Sequence, residues 1–159
     1  MPKERSPQTL DAKGIPITRF SGQFPESKFE INKKDITIKS YDEFKPAVEE
    51  ATESCLSGNP AVGVITFMDK GPVNSYRIIC YKSISPNETL DEVAFDSEFQ
   101  SYNCIVNRDS ANQDQLHGKI MEAVQNCLYP PAKRMVACAI RFSKQSDNTY
   151  AIASFKHNG

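Results

Sequence analysis

The sequence predicts a mixed α/β (α+β) fold: a duplicated β-α-β-β unit with antiparallel hairpins, a pseudo-two-fold arrangement and two main helices. Two apolar stripes have helical spacing, and a hairpin pattern follows each of them. The two copies also correspond residue by residue. At an offset of 72 positions the helices match at Val48/Ile120, Glu50/Glu122, Ala51/Ala123 and Cys55/Cys127, and at an offset of 74 the hairpins match at Asn74/Asn148, Tyr76/Tyr150, Ile78/Ile152 and Lys82/Lys156.

The 159 residues suit one domain with a sizeable core. Residues 1–28 contain four prolines and little apolar periodicity, which predicts an irregular N-terminal arm. Residues 29–159 are predicted to form a single compact domain of two similar halves, 29–82 and 102–157. The acidic linker 83–101 contains five acidic residues and no Lys or Arg. It is either a solvated loop or a partner-binding acidic segment.

The first helix is predicted from its start signals and its stripe. Ser40 and Glu43 have the form of a capping box. Because Pro46 is tolerated only in the first turn, we expect the regular helix to begin near Asp42 or Glu43. Gly58 suits the left-handed position after its end. The stripe that should face the core consists of Phe44, Val48, Ala51, Cys55 and Leu56.

The remaining elements follow the same logic. An alternating segment at 29–38 predicts a strand, and a second one at 102–106 leads into a polar helix entry at 107–112. The second helix carries the stripe Leu116, Ile120, Ala123, Cys127 and Leu128. The hairpin strands are predicted at 61–68 and 74–82 in the first half and at 135–142 and 149–157 in the second.

Composition predicts a soluble chain without a membrane partner. The net charge is −1, and no apolar run approaches the roughly 18–20 residues that span a bilayer. Residues 1–7 lack the apolar segment of a signal peptide. Two locations stay open: the cytoplasm, or secretion if the chain is a mature form whose signal peptide has been removed.

Five cysteines, an odd number, are present and none has CxxC spacing. The pattern favours reduced core residues, because free cysteine buries readily. One or two disulfides of a secreted protein are the alternative. Cys55 and Cys127 lie on the helical stripes, so we expect both to be buried. The sequence leaves open whether they bond to each other.

No motif points to catalysis, and we expect no metal and no cofactor. The two histidines are His117, beside the stripe of its helix, and His157, near the end of the chain. No GxSxG, P-loop or GxGxxG sequence occurs. The expectation is a chain without robust catalysis; a small metal-free nuclease-like hydrolase using His117 or His157 is the alternative.

Basic and aromatic residues interleave on the hairpin strands, a pattern typical of nucleic-acid surfaces. Ordinary surface charge with cross-strand aromatic packing gives the same pattern. The candidate binding residues are Tyr76, Arg77, Lys82, Arg141, Tyr150 and Lys156.

Residues 102–156 resemble the small ribonuclease-like secreted proteins of fungi, which include plant-pathogen effectors. The resemblance begins with Tyr102-Asn103-Cys104 and continues through a polar interval, the helix at 113–128 and two strands. It implies a ribonuclease-type fold. Because no His-Glu-Arg-His set can be placed in this chain, it implies a member that has lost catalysis. The sequence therefore predicts a non-enzymatic protein-binding domain, such as an effector acting on a host partner, with an RNA-binding module as the alternative.

Overall fold

A computed structural model describes residues 26–39, 41–69, 75–85, 105–128, 137–145 and 148–157. Most of the predicted arm and linker, and the Tyr102-Asn103-Cys104 motif, lie outside these residues. The described elements are β1 (Phe29–Thr37), a 3-10 turn (Tyr41–Glu43), α1 (Phe44–Leu56), β2 (Val62–Asp69), β3 (Ser75–Ser83), β4 (Ile105–Ala111), α2 (Leu116–Leu128), β5 (Ala137–Lys144) and β6 (Tyr150–His157).

The six described strands form one antiparallel sheet in the order β1-β3-β2-β5-β6-β4. The central pair is β2 with β5, in which Ile65 lies opposite Ile140. In each half the last strand lies between the other two: β3 between β1 and β2, and β6 between β4 and β5. The prediction of a mixed α+β fold is confirmed. The hairpin strands begin one or two residues later than predicted.

The first helix begins slightly later than its signals suggest. Residues Tyr41–Glu43 form a 3-10 turn, so the α-helix begins at Phe44 and Pro46 falls in its first turn, where no amide is required. The Glu43 carboxylate accepts the amide of Lys39 at 3.1 Å. After the helix, Gly58 has a φ of +80°, the left-handed conformation that favours glycine.

The polar entry predicted at residues 107–112 is wrong, because β4 continues to Ala111. An edge strand buries little of its surface, so its polar residues give no alternating pattern. The helix entry is shorter. Asn112 Oδ1 accepts the Gln115 amide at 2.9 Å, and Gln115 Oε1 accepts the Asn112 amide at 3.1 Å. This reciprocal pair caps α2, which begins at Leu116.

Both helices pack on one face of the sheet, and the main core lies between helices and sheet. The Phe44 ring stacks on Tyr76 with centroids 4.2 Å apart and meets Phe67 edge-on. Each large side chain buried here stabilises the fold by roughly 1.5–3 kcal/mol. Neighbouring residues in a strand face opposite sides, and the second face of the sheet is buried as well. Its buried residues include Phe29, Val62, Val64, Thr66, Ile79, Tyr81, Ala139, Arg141, Ser143, Ala153 and Phe155.

The expectation that most cysteines are reduced is wrong. Cys55 at the end of α1 is bonded to Cys80 in β3, with Cα atoms 5.8 Å apart, and Cys138 is disulfide-bonded as well. Cys55 is buried as predicted, but its partner is Cys80 and not Cys127. The side chain of Cys127 lies outside the described part of the structure. No described helix is long and apolar enough to cross a membrane.

Candidate functional site

The six candidate binding residues do not share one surface. Cross-strand register and strand alternation place four of them on the helix side of the sheet and two on the opposite side. Whether any of them binds a partner stays a prediction. The helix side has Tyr76, Lys82, Tyr150 and Lys156, and the opposite side has Arg77 and Arg141.

Tyr76 and Tyr150 are core residues, each 1% exposed. Tyr76 stacks on Phe44. The Tyr150 hydroxyl donates to Gln113 Oε1 at 3.0 Å, and burial raises the pKa of Tyr150. Neither ring offers a surface on which a base could stack.

Lys82 and Lys156 lie at the C-terminal ends of the two helices. Lys82 Nζ donates to the carbonyl oxygens of Ser57 at 3.1 Å and Ser54 at 3.4 Å. Lys156 Nζ donates to the carbonyl of Asn126 at 3.4 Å. Cations at these positions satisfy terminal carbonyls and complement the helix dipole. Burial lowers the pKa of Lys156. Both lysines therefore stabilise the fold.

Arg77 and Arg141 are also engaged within the chain. Arg77 forms a bidentate pair with Asp35, with Nε 2.8 Å from Oδ1 and Nη2 3.1 Å from Oδ2. Arg141 is 2% exposed, opposite Val64 of β2 and Ala153 of β6. Burial of this kind withdraws the Arg141 guanidinium from solvent.

A groove that the sequence did not predict lies between β1 and α1, with a volume of about 390 Å³. We call it the β1–α1 groove. Its apolar floor includes Ala51 and Ile78, and on its rim Lys34 Nζ lies 3.6 Å from Glu50 Oε1. The full lining consists of Asn32, Lys33, Lys34, Glu50, Ala51, Ser54, Ile78 and Cys80.

A smaller groove of about 130 Å³, the β4–α2 groove, lies in the second half. Lys119 crosses it: its Nζ is 3.3 Å from Asp109 Oδ2 and 4.0 Å from Glu122 Oε1. The lining consists of Asn107, Arg108, Asp109, Lys119, Glu122, Ala123, Asn126, Ile152 and Ser154.

The two grooves are lined from corresponding positions. In register, Lys82 faces Glu30 of β1 and Lys156 faces Ile105 of β4, so β1 corresponds to β4 at an offset of 75 positions. The helices and hairpins keep their offsets of 72 and 74. The lining pairs are then Asn32/Asn107, Lys33/Arg108, Lys34/Asp109, Glu50/Glu122, Ala51/Ala123, Ser54/Asn126, Ile78/Ile152 and Cys80/Ser154.

One sequence signal could have located these grooves. Glu50 and Glu122 are the only identical polar residues at matching helix positions, and neither belongs to an apolar stripe. A matched exposed residue has no packing role that explains it. The strand side of each groove gave no signal, because β4 was not recognised as a strand beyond residue 106.

The edges of the sheet differ in their backbone hydrogen bonds. The Ile84 amide donates to the Lys28 carbonyl at 3.1 Å. Because paired and unpaired positions alternate in an antiparallel ladder, the amides of Ile31 and Lys33 point away from β3, to the side on which no described strand pairs with β1. On β4, the Ser110 amide donates to Asp109 Oδ1 at 2.8 Å. That bond, followed by Lys119, lowers the pKa of Asp109.

Among the described residues, no three His, Cys, Asp or Glu side chains converge as metal ligands would. His117 is exposed on α2. No family model matches this chain, and no characterised protein or solved structure is similar enough to count as a match.

Proposed function

We propose that this chain is a non-enzymatic interaction domain whose partner is a protein, and that the β1–α1 groove and the adjacent edge of β1 form the contact surface. The observation that carries the proposal is the combination of an apolar floor, a charged rim and outward-pointing backbone amides at one place. Each of these matches a different component of a protein ligand: a side chain, a charge and a backbone.

The dimensions and chemistry of the groove support this proposal. Its volume falls in the range of about 300–1,000 Å³ that binding pockets occupy. Protein interfaces combine an apolar centre with a polar rim, as Ala51 and Ile78 do with Lys34 and Glu50. Ser54 adds a hydroxyl at the helix side of the rim. A partner side chain can thus be buried while its neighbours stay hydrated.

The placement of the hairpin residues favours a protein over RNA. Single-stranded RNA is bound by exposed aromatic rings beside cations, and Tyr76 and Tyr150 are both in the core. Arg77 is hydrogen-bonded to Asp35, and Lys82 is hydrogen-bonded to a carbonyl at the end of α1. The resemblance of residues 102–156 to secreted fungal effectors supports a partner that is a host protein.

We further propose that the two halves are diverged copies of one β-α-β-β unit related by a pseudo-two-fold axis. Three observations support this: the shared strand order, the lysine at each helix end, and the matching lining of the grooves. The copies would share a scaffold, and only the first would keep an open groove.

A position-specific photo-crosslinker tests the binding site. Placed at Ser54, on the rim of the β1–α1 groove, it should give a discrete protein adduct in a protein extract of the host. The matched control is the same group at Asn126, the corresponding position of the β4–α2 groove. The adduct should be lost when Lys33→Glu and Lys34→Glu are introduced.

Three results would contradict the proposal. Equal adducts from Ser54 and Asn126 would mean that the groove has no special role. An adduct that ribonuclease removes would favour the RNA-binding alternative. Turnover of an RNA substrate that His117→Ala abolishes would replace the interaction domain by the nuclease-like hydrolase.

A further inference from the structure

We infer that the edge of β1 takes up an extended, acidic segment of the partner as an additional strand, whose side chains on the helix side enter the β1–α1 groove. This rests on the proposed function and deepens it by naming the chemistry and geometry of the bound segment. Strand addition is a recurring mode in which backbone hydrogen bonds give affinity and alternate side chains give specificity.

The backbone of β1 is suited to this mode. β1 has nine residues, pairs with β3 on one side, and within the described residues pairs with no other strand. The amides of Ile31 and Lys33 point to the open side at the spacing of an antiparallel ladder. Edge strands with free backbone groups readily accept another strand.

The side chains select an acidic segment. Lys33 and Lys34 are adjacent, so their side chains lie on opposite faces of the sheet and flank an added strand on both sides. Lys33 forms no ion pair among the described residues, and Lys34 has only the exposed Glu50 at 3.6 Å. Asp35, the nearest acidic residue of β1, is neutralised by Arg77. A carboxylate in the partner therefore meets a positive edge.

The opposite edge lacks these features. β4 has seven residues, and its Ser110 amide is already satisfied by Asp109. Lys119 lies between Asp109 and Glu122 and narrows the β4–α2 groove. β4 therefore serves as an internal control for β1.

The test uses two nine-residue blocked peptides as probes, one alternating valine with glutamate and one alternating valine with lysine. In amide NMR of the full chain, the glutamate peptide should shift the signals of Ile31 and Lys33 and leave those of Arg108 and Ser110 unchanged. The lysine peptide should bind at least tenfold more weakly. Lys33→Glu combined with Lys34→Glu should reverse this preference.

A proline variant separates backbone pairing from charge. Ile31→Pro removes an outward amide without affecting the β1–β3 ladder and should abolish peptide binding, whereas Ile31→Ala should retain it. No shift at millimolar peptide, equal shifts with both peptides, or binding by Ile31→Pro would each overturn strand addition. If the Ser54 adduct still forms in that case, the proposed function stands and only this binding mode fails. If the adduct is absent as well, both fail.

Discussion

The two halves of the sheet have the same strand order and register but differ in which strand carries the disulfide-bonded cysteine and in the size of the groove. In the first half a disulfide joins Cys55 of α1 to Cys80 of β3, and the adjoining groove is the larger of the two. In the second half the position of Cys80 is held by Ser154, the disulfide-bonded cysteine is Cys138 of β5, and Lys119 crosses the smaller groove. The buried residues of the two halves are alike, whereas the residues on the rims of the two grooves differ. Close packing restricts buried positions far more than exposed ones.

The differences at the rim are coordinated. Lys34 in the first half corresponds to Asp109 in the second, which would leave Asp109 facing Glu122 as two like charges. One turn earlier in the helix, the first half has Ala47 and the second half has Lys119, whose ammonium lies between the two carboxylates. The second half, with the opposite charge on its edge strand, therefore also has an additional cation on its helix.

The largest effect should come from the Cys55–Cys80 disulfide of the first half. Replacing both Cys55 and Cys80 by alanine should lower the free energy of unfolding by about 3 kcal/mol, because the bond closes a loop with a sequence separation of 25 residues. Denaturant unfolding measures the change. Ser154→Ala, at the position corresponding to Cys80, should cost less than about 1 kcal/mol. A double-alanine chain as stable as the parent would contradict a stabilising role for this bond.

Gly63 provides the next test. It lies opposite Lys82, and the residue opposite Lys156 in the second half is Cys138. A Cβ at Gly63 would lie 2.7 Å from Phe142 Cζ and 2.9 Å from the Tyr81 carbonyl oxygen, and the backbone atom has little freedom to move. Gly63→Ala should therefore cost about 1–3 kcal/mol in thermal or denaturant unfolding.

Gly118 in α2 is the matched control. No heavy atom outside the adjacent backbone of its own helix lies within 4 Å of its added Cβ, so Gly118→Ala should raise stability by about 0.5–1 kcal/mol through helix propensity. If both substitutions were neutral, the close contact of Phe142 with β2 would be contradicted.

Of the two lysines at the helix ends, Lys82 of the first half should contribute more to stability than Lys156 of the second half. Lys82→Met should cost about 1 kcal/mol, because its ammonium donates to the Ser54 and Ser57 carbonyls. Lys156→Met should cost less, because burial lowers the pKa of Lys156 and so offsets part of the benefit of its charge. Unfolding of the two variants at neutral pH compares them directly. A larger loss for Lys156→Met would reverse the expected order.

The sequence predicts the elements of this fold where burial is strong. Phe44, Val48 and Ile120 were recognised as core from their spacing alone, and all three are fully buried. The strand predicted at 102–106 ends too early, because Asn107 and Asp109 of β4 are polar and give no alternating pattern of burial.

The candidate site was harder to predict than the fold. Tyr76 shares its strand parity with Ile78 and Cys80, so its place in the core could have been read from alternation. The groove could not, because it depends on how closely a helix approaches an edge strand, a distance that no residue pattern encodes. The pairing of Cys55 with Cys80 is equally a matter of three-dimensional proximity.

Exchanging the rim charges between the halves sharpens the comparison further. Lys34→Asp alone should lower stability by a few tenths of a kcal/mol, because it places a second carboxylate beside Glu50. Adding Ala47→Lys supplies the cation that Lys119 provides in the second half and should restore it. A double-mutant cycle should give a coupling of about 0.3–1 kcal/mol. Additive effects would contradict the correspondence of Ala47 with Lys119.

The smallest effect should be the pH dependence that Asp109 adds to the second half alone. The amide of Ser110, followed by Lys119, lowers the pKa of Asp109 below its ordinary value near 3.8. Since the folded pKa is the lower one, the stabilisation is present above the ordinary value and is lost as pH falls through the lowered pKa. The side chain is 48% exposed, so water and salt keep the contribution small.

Carboxyl NMR titration checks the cause of this shift. Lys119→Ala should raise the pKa of Asp109 only part of the way to its ordinary value, because the Ser110 amide, the larger cause, remains. Lys34→Ala in the first half should leave the titration of Asp109 unchanged. A full return to the ordinary value in Lys119→Ala would mean that the Ser110 amide does not hold the carboxylate. The backbone of β4 would then be as available to another strand as that of β1, and the contrast between the two edges would be lost.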